Sequence, residues 1–230
     1  MRTITVEERR ARLARRHRLT PGTSAATAVE ATAGVVALHA TDPASVFLSA
    51  TARMQTPDVT AVEQALYDDR ELVRMLGMRR TLFVVPRDLA GAIQAGCTRA
   101  IAATLRRRYT QLLESAGIGG DDTSAWLASV ETATMAALTA RGEATGAELS
   151  AAEPLLRTQL DVAEGKAYAT RQNITTWVLT LLAADGRIAR GRPRGSWISS
   201  QHRWSPLEVW LPGGLGEWSP EDARAELVRH

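Results

Sequence analysis

At 230 residues, 45% apolar and 23% charged, the chain has the composition of a globular protein able to bury one large core or two small ones. Its formal net charge of +3 is carried almost wholly by guanidinium, since Lys166 is the sole lysine; GC-rich coding alone produces that bias, so only the placement of the arginines argues for DNA. The composition excludes an internal disulfide or thiolate zinc site, because Cys97 stands alone, and His17, His39, His202 and His230 lack metal-ligand spacing, so a structural or catalytic metal is not expected. The charged N-terminus lacks the apolar core of a signal peptide, and the apolar stretch 174–184 is too short to span a bilayer and is broken by Thr175, Thr176 and Thr180. A cytoplasmic location without a membrane partner is the expectation.

In chain order, Val6–Arg18 predicts a helix dense in arginine (Arg9, Arg10, Arg12, Arg15, Arg16, Arg18), partly paired with Glu7 and Glu8 and otherwise solvated. Pro21-Gly22 ends it. A second helix is predicted from Thr27 to His39, with Val29, Ala33 and Val36 inward. Asp42 as N-cap and Pro43 at the first helical position open a third, reaching about Met54 with Val46, Phe47 and Ala50 inward. Val59–Tyr67 predicts another helix, Leu72–Leu76 a short turn, and Thr81–Val85 a strand stopped by Pro86. Helices followed by a short strand element suit a first winged-helix unit, residues 1–87.

Residues 88–141 form a helical connector interrupted at Gly117–Gly120 and restarted by Asp121 or Asp122, with Trp126, Val130, Met135 and Leu138 as core and Arg106, Arg107 and Arg108 on the surface. A second winged-helix unit is expected over 142–218. Thr145 and Glu148 make a capping box, Pro154 breaks the helix ahead of Leu155 and Leu156, and a long helix runs from about Thr170 to Ala184. Ile174, Trp177, Val178 and Leu181 form its stripe, and Asp185-Gly186 ends it. Strands Arg187–Arg190 and Trp197–Trp204 follow, joined by Gly191–Gly195. Ser219 caps a further helix in 219–230; a third winged-helix domain absent from this chain is one continuation, and a chain ending there is the other. The fold class is thus mainly α with short β-hairpins, arranged as tandem winged helix-turn-helix domains.

The hairpin after Asp185-Gly186 is the feature that points to nucleic acid. Arg187, Arg190, Arg192, Arg194 and Arg203 lie on and around it, with Ser199, Ser200 and Gln201 able to bond phosphates. A solvated arginine-rich turn is the competing reading. His39 by itself reads as a helix-terminal hydrogen bonder, and Asp42 as a cap.

Three segments in order, Ala37-Leu38-His39-Ala40-Thr41-Asp42-Pro43, Ala50-Thr51-Ala52-Arg53 and Met78-Arg79-Arg80-Thr81-Leu82-Phe83, together with Asp185-Gly186-Arg187-Ile188 and Trp204, give the chain its family likeness. It resembles the AlkZ/YcaQ family of DNA glycosylases, whose landmarks read Leu-Gln-x-Gln-Asp-Pro, a helix ending near Arg, and Met-Arg-Gly-Thr-Leu-His. The resemblance implies three tandem winged-helix domains around a basic DNA channel, excision of alkylated or crosslinked purines, and no metal or organic cofactor. It places the catalytic positions on His39 and Thr41, where the family carries two glutamines or a glutamine and an aspartate, and Phe83 where the family carries His. It further implies that Arg53, Arg79 and Arg80 grip double-stranded DNA with the hairpin arginines, in a nucleoid-associated protein of DNA repair or genotoxin self-resistance. A neutral imidazole at 39 would take a proton from water held by Thr41. A non-catalytic winged-helix DNA binder or transcriptional regulator is the alternative, and a protein-interaction module the third; steep salt dependence separates the first two from the last.

Overall fold

A computed structural model describes residues 3–162 and 170–230; Lys166 and the proposed helix start at about Thr170 fall at or beyond this gap, Lys166 lying outside the described residues. Among the described residues the chain is mainly helical with small antiparallel sheets. It divides into two compact units: residues 1–96, 195–200 and 216–230 form unit 1, and residues 97–194 and 201–215 form unit 2.

Unit 1 opens with α1 (Val6–Arg16), capped by the Thr5 hydroxyl, which accepts from the Glu8 N–H at 3.2 Å. No residue of α1 is buried, so its arginines do lie on a solvated helix; Arg12 pairs with Glu8 at 2.6 Å. The next helix, α2 (Ala28–Ala33), is shorter than the sequence suggests. Beyond Gly34 the β-branched Val35 and Val36 leave the helix, Val36 with φ of +67°, and β1 (Leu38–His39) forms instead. His39 is therefore a strand residue and not a helix terminus, because pairing with a distant strand satisfies its backbone better than one more helical turn. Asp42 caps α3 (Pro43–Thr51) as read, with Val46, Phe47 and Ala50 buried. A short α4 (Val59–Glu63) runs into one π-helical turn, Gln64–Asp68.

Leu72–Leu76 is a strand, β2, not a turn. A five-residue apolar run has no decisive periodicity of its own; partnership with β3 (Leu82–Pro86) decides it, in register from Leu72 opposite Pro86 to Leu76 opposite Leu82. The sheet order is β1-β3-β2, all antiparallel. Pro86 ends β3 and leads into α5 (Arg87–Ile93). Phe47, Leu72, Val46 and Val62 are fully buried in this unit, each contributing about 1.5–3 kcal/mol through removal of apolar surface from water.

Unit 2 is built on α6 (Arg99–Ser115) and α7 (Thr123–Arg141), the latter capped by Asp122 accepting from the Ala125 N–H at 2.9 Å. Val130 and Leu138 are core as read, whereas Trp126 and Met135 are half-buried. Then come β4 (Ala144–Thr145) and α8 (Gly146–Ala152), whose Thr145–Glu148 capping box is fully formed. A 3₁₀ turn, Pro154–Arg157, precedes the hairpin of β5 (Gln159–Val162) and β6 (Thr170–Asn173). The long helix accordingly begins at Thr175, as α9 (Thr175–Ala184), with Thr170–Asn173 drawn into strand pairing. Its Trp177, Val178 and Leu181 are buried, and Trp177 stacks on Tyr109 with centroids 4.6 Å apart. Asp185-Gly186 turns the chain, Gly186 taking φ of +73°, a left-handed conformation that suits glycine.

β7 (Ile188–Pro193) and β8 (His202–Pro206) follow, with α10 (Leu207–Trp210) after them. β8 begins five residues later than the sequence suggests, so Trp197 lies in the connection. There Trp197 belongs to unit 1, its ring 5.0 Å from that of Phe47. The sheet order is β4-β8-β7, with a register shift between Arg190 and Pro193. The chain finally returns to unit 1 as α11 (Pro220–Arg229), capped by Ser219, and buries Ala223 against Ala92 and Ala95. Both units share one sequence of elements, helix, short strand, two helices, then two paired strands, and one sheet order, first-third-second. In unit 2 the β5–β6 hairpin interrupts that sequence between its second and third helices.

Candidate nucleic-acid site

His39 and Thr41 stand on the edge strand of unit 1 and the residue pair that follows it, both exposed. Pleat alternation puts residues 39 and 41 on the same side of the chain, and the Thr41 Oγ1 and His39 Nε2 come within 3.4 Å. The backbone between them is held from two sides. The Ala40 N–H donates to the Leu82 carbonyl at 2.7 Å, and its own carbonyl accepts from the Arg74 guanidinium. Thr41 Oγ1 also accepts from the Leu82 N–H at 3.4 Å. Phe83 faces His39 across the strand pair, edge to face. Asp42 serves as a cap: its carboxylate accepts from the Ala44 N–H at 3.3 Å and the Ser45 hydroxyl at 2.9 Å.

Arg74 escapes the sequence reading. It is only 7% exposed, and burial pulls its pKa down while Tyr67 and Asp42 push the other way. A lone arginine inside Leu72-Val73-Arg74-Met75-Leu76 is the signal that would have revealed it, once that run is recognised as a strand. Arg53, at the foot of α3, folds back so that its Nη1 donates to the Ser49 carbonyl at 2.7 Å, and burial lowers its pKa. Arg79 and Arg80 occupy the turn between β2 and β3, exposed, with φ of +58° and +60°.

The arginines of the unit 2 hairpin separate into two kinds. Arg187 lies 3.6 Å from buried Glu131, which Arg106 holds at 2.8 Å while reaching Asp185 at 2.5 Å. Burial works against the charge of Arg106, and its hydrogen bonds to the Glu131 and Asp185 carboxylates, with their charge, more than offset it, so its pKa is raised. Arg203 pairs with Glu143 at 2.5 Å, and Arg190 lies 4.2 Å over the Trp204 ring, its partner across the hairpin. Arg192, Arg194 and Gln201 are exposed, and the Gln201 carbonyl accepts from the Arg194 N–H at 2.8 Å. Among the described residues no group of three or more His, Cys, Asp or Glu could hold a metal ion, and no helix is long and apolar enough to cross a membrane.

Within unit 1, then, the edge strand that leads His39 into Thr41 pairs with a hairpin whose turn carries Arg79 and Arg80. The family model described as DNA glycosylase AlkZ-like matches residues 32–230. The chain belongs to the AlkZ-like DNA glycosylase family. Among solved structures it is similar to Streptomyces sahachiroi DNA glycosylase AlkZ, with a TM-score of 0.63 and 17% identity, over 94% of this chain and 53% of that one. This chain thus spans about half the length of that protein, and at such identity the likeness is one of fold. No curated protein matches.

Proposed function

We propose that this protein is a DNA glycosylase acting on alkylated or crosslinked purines of duplex DNA, with His39 and Thr41 as its catalytic pair. The observation that carries the reading is the 3.4 Å approach of Thr41 Oγ1 to His39 Nε2 on an exposed, doubly anchored edge strand. One water seated against both groups donates to the imidazole lone pair and accepts from the hydroxyl. As the bond from C1′ to the purine nitrogen breaks, the base leaves with the bonding electrons and the sugar becomes cationic. Water then attacks C1′ and passes its proton to His39. An N7-alkylated guanine already carries positive charge and leaves as a neutral base, so positioned water supplies most of what the reaction needs.

The architecture fits tandem winged-helix domains, a first over residues 1–87, a helical connector over 88–141 and a second over 142–218, with 219–230 opening a further helix. The repeated element order and first-third-second sheets support this. Arg53, Arg79 and Arg80 in the first, and Arg187, Arg190, Arg192, Arg194, Gln201 and Arg203 in the second, are the proposed DNA contacts. Of these, Arg79, Arg80, Arg192, Arg194 and Gln201 are exposed and suited to phosphates, while exposed Arg187 is drawn towards Glu131 and Arg190 and Arg203 help shape the second hairpin.

The test is a single-turnover incubation with duplex DNA carrying N7-methylguanine, scored for abasic sites, with His39→Ala and Thr41→Ala in parallel. Base release by the wild type and its loss in both variants is the expected result. Salt-sensitive binding of the same duplex with no release would move the protein to the second reading, a non-catalytic binder. That reading draws on the Thr41 hydroxyl already accepting from the Leu82 N–H.

A further inference from the structure

The turn Met78–Arg79–Arg80–Thr81 closes the β2–β3 hairpin, with the Thr81 N–H donating to the Met78 carbonyl at 3.2 Å and the Gly77 N–H to the Thr81 carbonyl at 2.9 Å. Both central residues are left-handed. That is the backbone of a type I′ turn, a conformation that selects Asn-Gly or Asp-Gly because side-chain-bearing residues resist it. Two arginines here hold a strained turn, and among the described residues neither guanidinium makes a hydrogen bond or ion pair that would compensate. Met78, first residue of the same turn, is 51% exposed. An apolar prong beside two unengaged cations is what proteins use to part stacked bases while gripping the adjoining phosphates.

Its location sharpens the inference. Leu82, whose N–H reaches Thr41 Oγ1, pairs with Leu76, and the turn begins immediately beyond that pair. Along the strands the tip lies only one or two residues beyond the level of Leu82, and across the sheet β3 stands between β2 and β1, so Met78 lies about two strand spacings, roughly 10 Å, from the His39–Thr41 pair. Both features lie on one sheet of unit 1.

We propose that Met78 enters the base stack of duplex DNA as a wedge, filling the gap left when a nucleotide turns out towards His39 and Thr41, with Arg79 and Arg80 on the flanking phosphates. This rests on the glycosylase reading of the same site. Extruding a base requires unstacking it, and a side chain that occupies the vacated space holds the extruded state open.

The experiment uses the full chain and a duplex in which 2-aminopurine lies next to a tetrahydrofuran abasic analogue; its fluorescence rises on unstacking, and anisotropy on a labelled copy reports binding. Saturating wild type should raise the fluorescence. At saturating protein Met78→Ala should abolish the rise, and Met78→Leu should retain it. Thermal unfolding of each variant confirms an intact fold, as expected for an exposed tip. An undiminished rise with Met78→Ala, or no rise with bound wild type, overturns the wedge and leaves the glycosylase reading standing. A wild type that binds no duplex overturns both.

Discussion

Phe83 stands edge-on to the imidazole of His39, with ring centroids 5.6 Å apart and planes at 87°. The two residues are partners across β1 and β3, and the back of Phe83 lies over Gly77, where a Cβ would come within 2.8 Å of its Cδ2. One aromatic ring is thus wedged between a glycine and the proposed catalytic imidazole, fixing the plane in which that imidazole can turn. Phe83→Ala should cost about 0.5–1.5 kcal/mol from the lost ring pair, beyond the lost buried area. With the ring free to rotate, the single-turnover rate on N7-methylguanine duplex should fall roughly tenfold through misorientation.

Arg74 acts on the same segment from below. Arg74→Met leaves the Ala40 carbonyl without its guanidinium donor, for an expected loss of about 1–3 kcal/mol in chemical denaturation. The glycosylase rate should fall roughly 100-fold with duplex affinity unchanged, because the altered contact places His39 and Thr41 and does not touch DNA. Arg74→Lys should recover part of the rate.

Arg80→Gly trades strain against charge. Removing the side chain from a φ of +60° should raise stability by about 1 kcal/mol. The same change should weaken duplex binding and reduce the slope of log affinity against log salt by about 0.9. Stability and binding moving in opposite directions is the signature to look for; a turn of purely structural use would gain stability and lose no affinity.

In the second hairpin the exposed and engaged arginines should behave differently. Arg194→Ala should lower the salt slope by about 0.9 while leaving the unfolding midpoint in place. Arg203→Ala, which breaks the half-exposed pair with Glu143, should instead cost about 0.2–1 kcal/mol of stability and lower the slope less than Arg194→Ala does.

The capping box of α8 has an acid signature. Hydrogen bonds from the Thr145 backbone and then from its hydroxyl hold the Glu148 carboxyl below its ordinary pKa, with Arg203 and Arg194 adding to them. A carboxyl depressed in the folded state lends stability that is present above its unfolded pKa and is lost as pH falls through its folded one. Thr145→Ala should cost about 1 kcal/mol near neutral pH. The gap to wild type should narrow on acidification below the ordinary glutamate range, as followed by thermal unfolding across pH.

Elements with strictly local signals were legible in the sequence: the Asp42-Pro43 helix start, the Thr145–Glu148 box, the Asp185-Gly186 stop and the strand ending at Pro86. Those that depend on a distant partner were not. Leu38–His39 and Leu72–Leu76 become strands only because β3 is there to pair with them, and Thr170–Asn173 leaves the helix it would otherwise join because β5 takes it. For the same reason His39 and Thr41 could be singled out only through family likeness. Their closeness to Leu82 and Phe83, and the support from Arg74, are products of sheet register that no local pattern encodes.

Unit 1 is written in the sequence on both sides of unit 2. As the chain leaves the ribosome, Ala92 of α5 and Ala95 just beyond it must wait for Ala223, which is translated only after every segment of unit 2. The nascent first unit therefore carries an unfinished seam while the whole of its neighbour is translated. A fragment ending at residue 96 would keep that seam permanently open, whereas a circular permutant that fuses α11 ahead of α1 would let the seam close before its neighbour is made.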